Sequence, residues 1–136
     1  NDLSVGLVIY CDYFDIYVGG DIAGTSSYGH TDVEGSIAED VGPVEVYQVD
    51  HHGSWYSTSE EFMSWLQPLV CVISCGDNSY GHPHPDVVVR MEEYAEAIYQ
   101  TADDEGNPID NDVIIRSNGS SFMVITDIAD DEFVCR

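Results

Sequence analysis

Short apolar runs alternate with helix-start signals along this chain of 136 residues, and this alternation restricts the fold more than any other feature. Strands that alternate with helices are typical of a sheet covered by helices. The runs have the length and the β-branched composition of strands, and they cover residues 3–10, 14–18, 44–49 and 69–74. The last of them is almost wholly apolar, which predicts a buried central strand.

Three positions predict where short helices begin. The sequences TDVE at 31–34 and TSEE at 58–61 have the pattern of a capping box, in which the first and fourth side chains bond to each other's backbone amides. The first helix should end at Gly42-Pro43 and the second before Pro68. Pro85 suits the first turn of a third helix, with an apolar stripe formed by Val88, Met91, Ala95 and Ile98.

Two hairpins complete the prediction. Asn118-Gly119 is a strong turn signal and joins strands at 113–116 and 122–126, and the first two apolar runs form a second hairpin. We therefore expect an α/β fold, with a mixed β-sheet, flanking helices and the late hairpin closing the sheet. We expect residues 1–136 to form one domain, because the length fits one and no linker or repeat interrupts the chain.

The charge is strongly negative. The chain has no lysine and three arginines, and its formal net charge is -23. Because molar salt reduces the screening length to ~3 Å and removes most of the self-repulsion, we expect an extracellular or high-salt setting. The alternative is that acidic faces such as 103–105 and 130–132 only maintain solubility. Direct nucleic-acid binding is disfavoured, since phosphate recognition needs cationic side chains or metal ions.

Two further features limit the class of protein. No apolar run approaches the ~20 residues that span a bilayer, so no membrane segment is expected in this chain. The four cysteines, Cys11, Cys71, Cys75 and Cys135, allow three disulfide pairings, and the sequence does not choose among them. Buried free thiols are the favoured interpretation, and a disulfide is the alternative.

Three polar loops follow directly after predicted strands. They are Gly20-Asp21, His51 to Ser54, and Asn78 to Pro85, and the last two contain four of the five histidines. Binding sites in open α/β sheets collect at the ends of strands. Carboxylate and imidazole together are a ligand set for zinc, manganese or iron. A carboxylate can bridge two such ions, and paired ions activate water and stabilise both oxygens of a phosphoryl displacement.

These loops lie within a series of motifs that resembles a known family. The series is N-D-x-S at 1–4, G-D at 20–21, x-D-V-E at 31–34, H-H-G-S at 51–54, N-x-Y-G-H-P-H-P at 78–85 and Y-x-T at 99–101. It resembles the metallo-β-lactamase superfamily, and within it the hydrolase domain of the ComEC/Rec2 competence proteins and their secreted, DNase-like relatives. The resemblance implies an αβ/βα sandwich, of which this chain would form the C-terminal half.

The resemblance also implies roles for individual residues. Asp21 is similar to the aspartate that bridges two metal ions, zinc or manganese, and His52, or else His51, to a later histidine ligand. His82 is similar to a catalytic loop histidine near the substrate phosphate. The expected substrate-binding residues are Ser54, Asn78, Tyr80 and His84. From the residues alone, several of these also have a structural interpretation: Asp21 as a turn residue, His51 and His52 as a strand end, and His82 and His84 as residues that order a proline loop.

Several neighbours of these loops have less specific interpretations. Asp50 is either a partner that orients one of the histidines or a solvated acid. His30, in a glycine- and serine-rich loop, is interpreted as a surface residue. Trp55 and Tyr56 are expected to be packing residues or the rim of a cleft.

One family element has no counterpart in the chain. The signature H-x-H-x-D-H, which supplies most of the first metal site in that family, does not occur in this sequence. Zinc sites use at least three protein ligands, so this chain alone should hold metal poorly, and its own enzymatic activity stays open. The missing ligands would come from an N-terminal half or a partner chain.

Two functions therefore remain as hypotheses. The first is the C-terminal portion of a metal-dependent hydrolase, phosphodiesterase-like or nuclease-like, acting on phosphoesters or nucleic acid. The second is a non-catalytic, degenerate half-fold that exposes an apolar face and serves as an oligomerisation or partner-binding module, with a homo-oligomer expected for the isolated chain.

Overall fold

The computed structural model describes residues 3–136, so Asn1 and Asp2 of the N-D-x-S motif lie outside the described residues. A five-stranded mixed sheet forms the centre, in the order β1-β2-β3-β4-β5. β1 and β2 are the predicted antiparallel hairpin, and β2 to β5 run parallel. The bounds of the strands are β1 Leu7–Cys11, β2 Phe14–Val18, β3 Val46–Gln48, β4 Val70–Ile73 and β5 Ala97–Gln100.

Three helices accompany this sheet, which confirms the α/β class. They are α1 Val33–Val41, α2 Glu60–Leu66 and α3 Pro85–Tyr94. Ala38 of α1, Phe62, Met63 and Leu66 of α2, and Val87 and Met91 of α3 are buried, and they join Tyr17, Tyr47 and Ile73 of the sheet in one core cluster. The apolar stripe of each helix therefore attaches it to the sheet, since burial of that stripe provides most of the stability of so short a helix.

The predicted capping boxes are wrong in detail. The N-cap of α1 is Asp32, whose carboxylate accepts from the amide of Gly35, and the N-cap of α2 is Ser59, whose hydroxyl accepts from the amide of Phe62. Glu34 does not bond back to the start of α1. Its carboxylate accepts instead from the amides of Thr58 and Ser59, at 2.6 and 2.7 Å. A capping-box glutamate thus fixes the start of the neighbouring helix.

The stripe predicted for α3 is also partly wrong. Met91 is buried as expected, but α3 ends at Tyr94 and Ala95 is its C-cap. Ile98 lies in β5, where it pairs with Cys71. The helical spacing of Ile98 was coincidental, because a residue four positions beyond the end of a helix can occupy a strand instead.

The late hairpin forms a second sheet and does not close the first. β6 Ile114–Ser117 and β7 Ser121–Ile125 are the predicted hairpin, and β8 Asp130–Val134 adds a third antiparallel strand. Phe122 and Val124 of β7 are buried against Phe14, Val46 and Val70, so the second sheet covers one face of the first. The acidic residues 130–132 thus occupy three exposed positions of strand β8.

All four cysteines are free thiols. Cys71 is buried and Cys75 is half-buried against the same core cluster. Burial raises the pKa of the Cys71 thiol. Cys71 therefore acts as a small apolar core residue.

Candidate functional site

The parallel order of β2, β3 and β4 places three loops side by side. Asp21 follows β2, His51 and His52 follow β3, and His82 lies in the loop between β4 and α3. Because these strands run in the same direction, their carboxyl ends meet at one edge of the sheet. Asp21, His51, His52, Tyr80 and His82 line one cavity of about 330 Å³ at that edge. The sequence prediction had placed the same five residues in the candidate site.

The two adjacent histidines have an unusual backbone. Residues Asp50–Gly53 form one turn of 3-10 helix in which His51 and His52 have φ values of 49° and 56°. Left-handed conformations are uncommon for non-glycine residues and cluster at functional sites. The amide of His51 donates to the carbonyl of Gly20 at 2.9 Å, so the turn is tied to the loop that carries Asp21.

His52 is held in one orientation. Its Nδ1 lies 2.7 Å from the carbonyl oxygen of Ser74, which can only accept a hydrogen bond, so Nδ1 carries the proton. The other ring nitrogen, Nε2, is 3.6 Å from Oδ1 of Asp21. A histidine whose Nδ1–H is bonded to a backbone carbonyl presents the Nε2 lone pair, which is the usual arrangement of a metal-ligating imidazole.

His51 and His82 form the floor of the cavity. Their ring centroids are 5.6 Å apart, and Nδ1 of each ring is buried without a hydrogen-bond partner among the described residues. Burial lowers the pKa of both imidazoles, although the carboxylate of Asp21 opposes the shift. Both rings are therefore held neutral at physiological pH, in the form that can accept a proton or bind a cation.

The loop after β4 is ordered by its own polar groups. The side-chain amide of Asn78 donates to the carbonyls of Gly76 and His82, and its oxygen accepts from the amides of Tyr80 and His82. His84 is the N-cap of α3, and its Nδ1 accepts from the amide of Asp86. Asn78 and His84 thus shape the loop, while Tyr80, 81% exposed, stacks on the ring of His82.

Ser54 follows the histidine turn and does not line the cavity. It is buried, its amide donates to the carbonyl of His51 at 2.9 Å, and its own carbonyl accepts from the hydroxyl of Ser57 at 3.1 Å. These bonds close the turn that holds the two histidines.

A pair of buried carboxyl groups lies beneath the histidine turn. Asp50 and Glu34 are both fully buried, and neither carboxyl oxygen of Asp50 has a hydrogen-bond partner within residues 3–136. Burial, followed by the nearby charge of Glu34, raises the pKa of Asp50 to about 9. Burial also raises the pKa of Glu34 to about 7. Asp50 is thus neither solvated nor bonded to a histidine. The carbonyl of Ser74, and not Asp50, orients His52.

His30, which the sequence suggested to be a surface residue, is half-buried and does not line the cavity. Its charge is among those that lower the pKa of His51, and His84 acts in the same way on His82. Three of the five histidines, His51, His52 and His82, line the cavity. The ring of His30 packs on that of Tyr56, with centroids 4.6 Å apart. The available signal was that His30 lies in the loop that follows Asp21.

The described residues do not form a complete metal site. Within residues 3–136, no three histidine, cysteine, aspartate or glutamate side chains are arranged to hold an ion. The donors of Asp21 and His52 are of the right chemical type and lie close together, but the set is too small. Within the same part of the chain, no helix is long and apolar enough to span a bilayer.

Comparison with known proteins gives two partial matches. No family model matches the chain. It is 42% identical to Recombination protein 2 of Haemophilus influenzae over 67 residues, which are 48% of this chain and 8% of that protein. Over about half its length, the chain is similar to the ComEC/Rec2 competence proteins. ComE operon protein 3 of Bacillus subtilis is 41% identical over 58 residues, or 42% of this chain and 8% of that protein.

The extent of these matches defines what they support. Each aligned segment makes up less than a tenth of the relative that contains it. The matches support the ComEC/Rec2 part of the resemblance. They do not extend to the activities of the whole proteins.

Proposed function

We propose that this chain supplies half of a two-metal phosphodiester hydrolase site of the metallo-β-lactamase type, at the edge formed by β2, β3 and β4. The observation that carries the proposal is the approach of His52 Nε2 to Asp21 Oδ1 at 3.6 Å. The other ring nitrogen, Nδ1, is hydrogen-bonded to the carbonyl of Ser74 and fixes the orientation of the ring. The similarity of part of the chain to Recombination protein 2 and ComE operon protein 3 also supports this proposal.

The side chains of Asp21 and His52 have donor atoms of the type that divalent ions bind, but among the described residues they are too few to complete a site. Asp21 and His52 would hold zinc or manganese, with His51 as a further ligand, and the remaining ligands would come from another segment or chain. A bound pair of such ions supplies Lewis-acid activation of water and of the phosphoryl oxygens. Nδ1 of His51 is buried without a hydrogen-bond partner among the described residues, so its capacity for a polar contact is unused.

The remaining residues of the site suit a proton transfer. His82 is kept neutral by burial, lines the cavity and is fixed by Asn78 through its own backbone, so it can accept or return a proton at a substrate oxygen. Tyr80 extends over His82 into solvent and would contact the substrate beside the reacting phosphate.

A specific observation also favours the second hypothesis, a partner-binding half-fold. β1 is the edge strand of the first sheet, and Leu7 and Ile9 on it are more than half exposed. A neighbouring groove of about 310 Å³ is lined by apolar residues that include Val8, Ile22 and Ile37. Exposed apolar edges favour association, so under this hypothesis the chain forms a homodimer without any dependence on metal.

Hydrolysis of bis(4-nitrophenyl) phosphate tests the proposal. With millimolar Mn²⁺ to saturate an incomplete site and 1 M NaCl to screen repulsion, we expect metal-dependent hydrolysis that falls about 100-fold in Asp21→Asn and His82→Ala. Asp130→Asn, which removes the same charge from β8, should retain wild-type activity.

The alternative predicts a different result. Wild-type activity no higher than that of Asp21→Asn at every Mn²⁺ concentration, together with a dimer in light scattering, would contradict catalysis by this chain.

A further inference from the structure

Exposed aromatic side chains form a cluster beside the histidine cavity. Tyr28 and Trp55 are 76% and 48% exposed, and their rings meet edge to face with centroids 5.8 Å apart. Tyr56 contacts both of them and also the ring of His30. We call Tyr28, His30, Trp55 and Tyr56 the aromatic platform. Edge-to-face packing fixes the rings against one another and leaves ring faces open to solvent.

The platform is continuous with the proposed site. Trp55 and Tyr56 follow the histidine turn in sequence, and the carbonyl of Tyr56 accepts from the amide of Gly24 at 2.7 Å, which ties the platform to the loop of Asp21. Tyr80 lines the cavity itself and stacks on His82.

The platform is built at a conformational cost. Tyr28 has a φ of 57°, which is unfavourable for a bulky side chain, and it keeps most of its ring in solvent. Strained residues of this kind persist where the surrounding structure enforces them and cluster at binding sites. Core packing does not account for so exposed a ring.

The arginines of the chain leave the cavity without a cation. Arg90 donates to the carbonyl of Thr58 at 2.7 Å and lies 3.6 Å from Glu60. Arg136 bonds to the carbonyl of Gln67, and Arg116 is on β6 of the second sheet. The sequence contains no other arginine and no lysine. In the absence of metal, a phosphodiester substrate therefore finds no lysine or arginine contact at the cavity, and its binding then depends on its other parts.

We propose that the aromatic platform binds the bases of single-stranded nucleic acid by stacking and so determines which phosphodiesters reach the cavity. The inference rests on the proposed function for the nature of the substrate and adds the recognition surface to it. Aromatic side chains stack on unpaired bases with little dependence on sequence. Paired bases are covered by their neighbours, so the platform selects single strands.

The salt dependence of binding distinguishes stacking from phosphate contacts. Proteins that neutralise phosphates lose affinity as salt rises, because fewer counterions are released. A chain with a net charge of -23 repels the nucleic acid instead, and salt screens this repulsion. We therefore expect the affinity for a single-stranded oligonucleotide to increase between 0.1 and 1 M NaCl.

The probe is a fluorescently labelled twelve-residue oligothymidylate, compared with an abasic oligomer of equal length and charge. Without added metal, the oligothymidylate should bind to the wild type in an anisotropy titration and the abasic oligomer should not. Trp55→Ala and Tyr28→Ala should weaken binding about tenfold each. Trp65→Ala and Tyr13→Ala remove rings of similar exposure elsewhere and should have no effect.

A second measurement does not depend on alanine variants. In a Trp65→Phe chain, Trp55 is the sole tryptophan, and the oligothymidylate should quench its fluorescence while the abasic oligomer leaves it unchanged. Equal affinity for both oligomers, an affinity that falls with salt, or equal losses in Trp55→Ala and Trp65→Ala would overturn the inference.

The two proposals can fail separately. If the wild type hydrolyses bis(4-nitrophenyl) phosphate but shows no base-dependent binding, the platform inference is wrong and the hydrolase proposal stands. If base-dependent binding through Trp55 occurs without metal-dependent hydrolysis, the platform inference stands and the hydrolase proposal is wrong.

Discussion

Gly19→Ala is expected to destabilise the chain by about 3 kcal/mol or more, because a side chain at this position overlaps a buried carboxyl group. A Cβ atom on Gly19 would lie 1.6 Å from Oδ1 of Asp50 and 2.9 Å from the ring of Tyr17. Asp50 and Tyr17 are both fully buried, so neither can move into solvent. Urea unfolding followed by circular dichroism measures the loss.

Two further variants show whether the overlap is the cause. Gly76→Ala lies in the loop after β4, where a Cβ atom would meet no other atom within 4 Å, and it should cost less than 1 kcal/mol, about the size of an ordinary surface substitution. Gly19→Ala combined with Asp50→Ala should be less destabilised than the two single changes predict together, because truncation of Asp50 frees the space. Strict additivity would contradict this explanation.

Asp50→Asn is expected to stabilise the chain at neutral pH by roughly 3 kcal/mol, although it lies next to the site. Asp50 is fully buried without hydrogen bonds to its carboxyl oxygens among the described residues, and its pKa is raised to about 9 from an ordinary 3.8. An amide fills the same volume without the cost of keeping a proton on the folded carboxyl. Urea unfolding at pH 5, 7 and 9 in constant 1 M NaCl tests this.

The sign of the pH dependence follows from the raised pKa. The folded state retains a proton on Asp50 that the unfolded state releases above pH 4, so the stability contributed by the protonated group is complete below pH 4 and lost as the pH rises towards 9. One such group changes the free energy of unfolding by at most about 1.4 kcal/mol per pH unit. Glu34, with a pKa of about 7, adds a loss over the lower part of this range.

The variant should therefore have a flatter profile than the wild type. Asp50→Asn and wild type should be similar in stability near pH 4 and diverge as the pH rises. Asp110→Asn is the matched control, since this nearly buried carboxylate already accepts from the amide of Gln100 and should gain nothing from the change. Parallel profiles for the wild type and Asp50→Asn would show that Asp50 is ionised in the folded state.

Local signals predicted much of the fold because their physics is short-range. The Asn118-Gly119 signal predicts its hairpin because Gly119 takes the positive φ, 86°, that the turn requires. The apolar run at 69–74 is buried as β4. The capping box at 31–34 failed because Glu34 bonds instead to the amide of Thr58, 24 residues away. The separate second sheet also depends on distant packing, of Phe122 on Phe14, which periodicity does not encode.

The candidate site shows the same division. Asp21, His51, His52 and His82 were predicted together because each follows a strand, and parallel strands bring such positions to one edge. The contact of His30 with Tyr56 and the formation of the aromatic platform depend on the path of the 22–31 loop, which has no strand or helix to define it. Asp50 is next to His51 in sequence, yet only the fold shows that its side chain turns into the core.

The most direct test of the half-site is the amount of Zn²⁺ bound per chain at equilibrium dialysis in 1 M NaCl, with Asp130→Ala as a control of equal charge. If Asp21 and His52 ligate the same ion, the wild type and Asp130→Ala bind nearly one Zn²⁺ per chain at saturating metal, and Asp21→Ala and His52→Ala each lose it. Zn²⁺ at background level in the wild type, or binding that survives in both site variants, would contradict a metal site at this edge of the sheet.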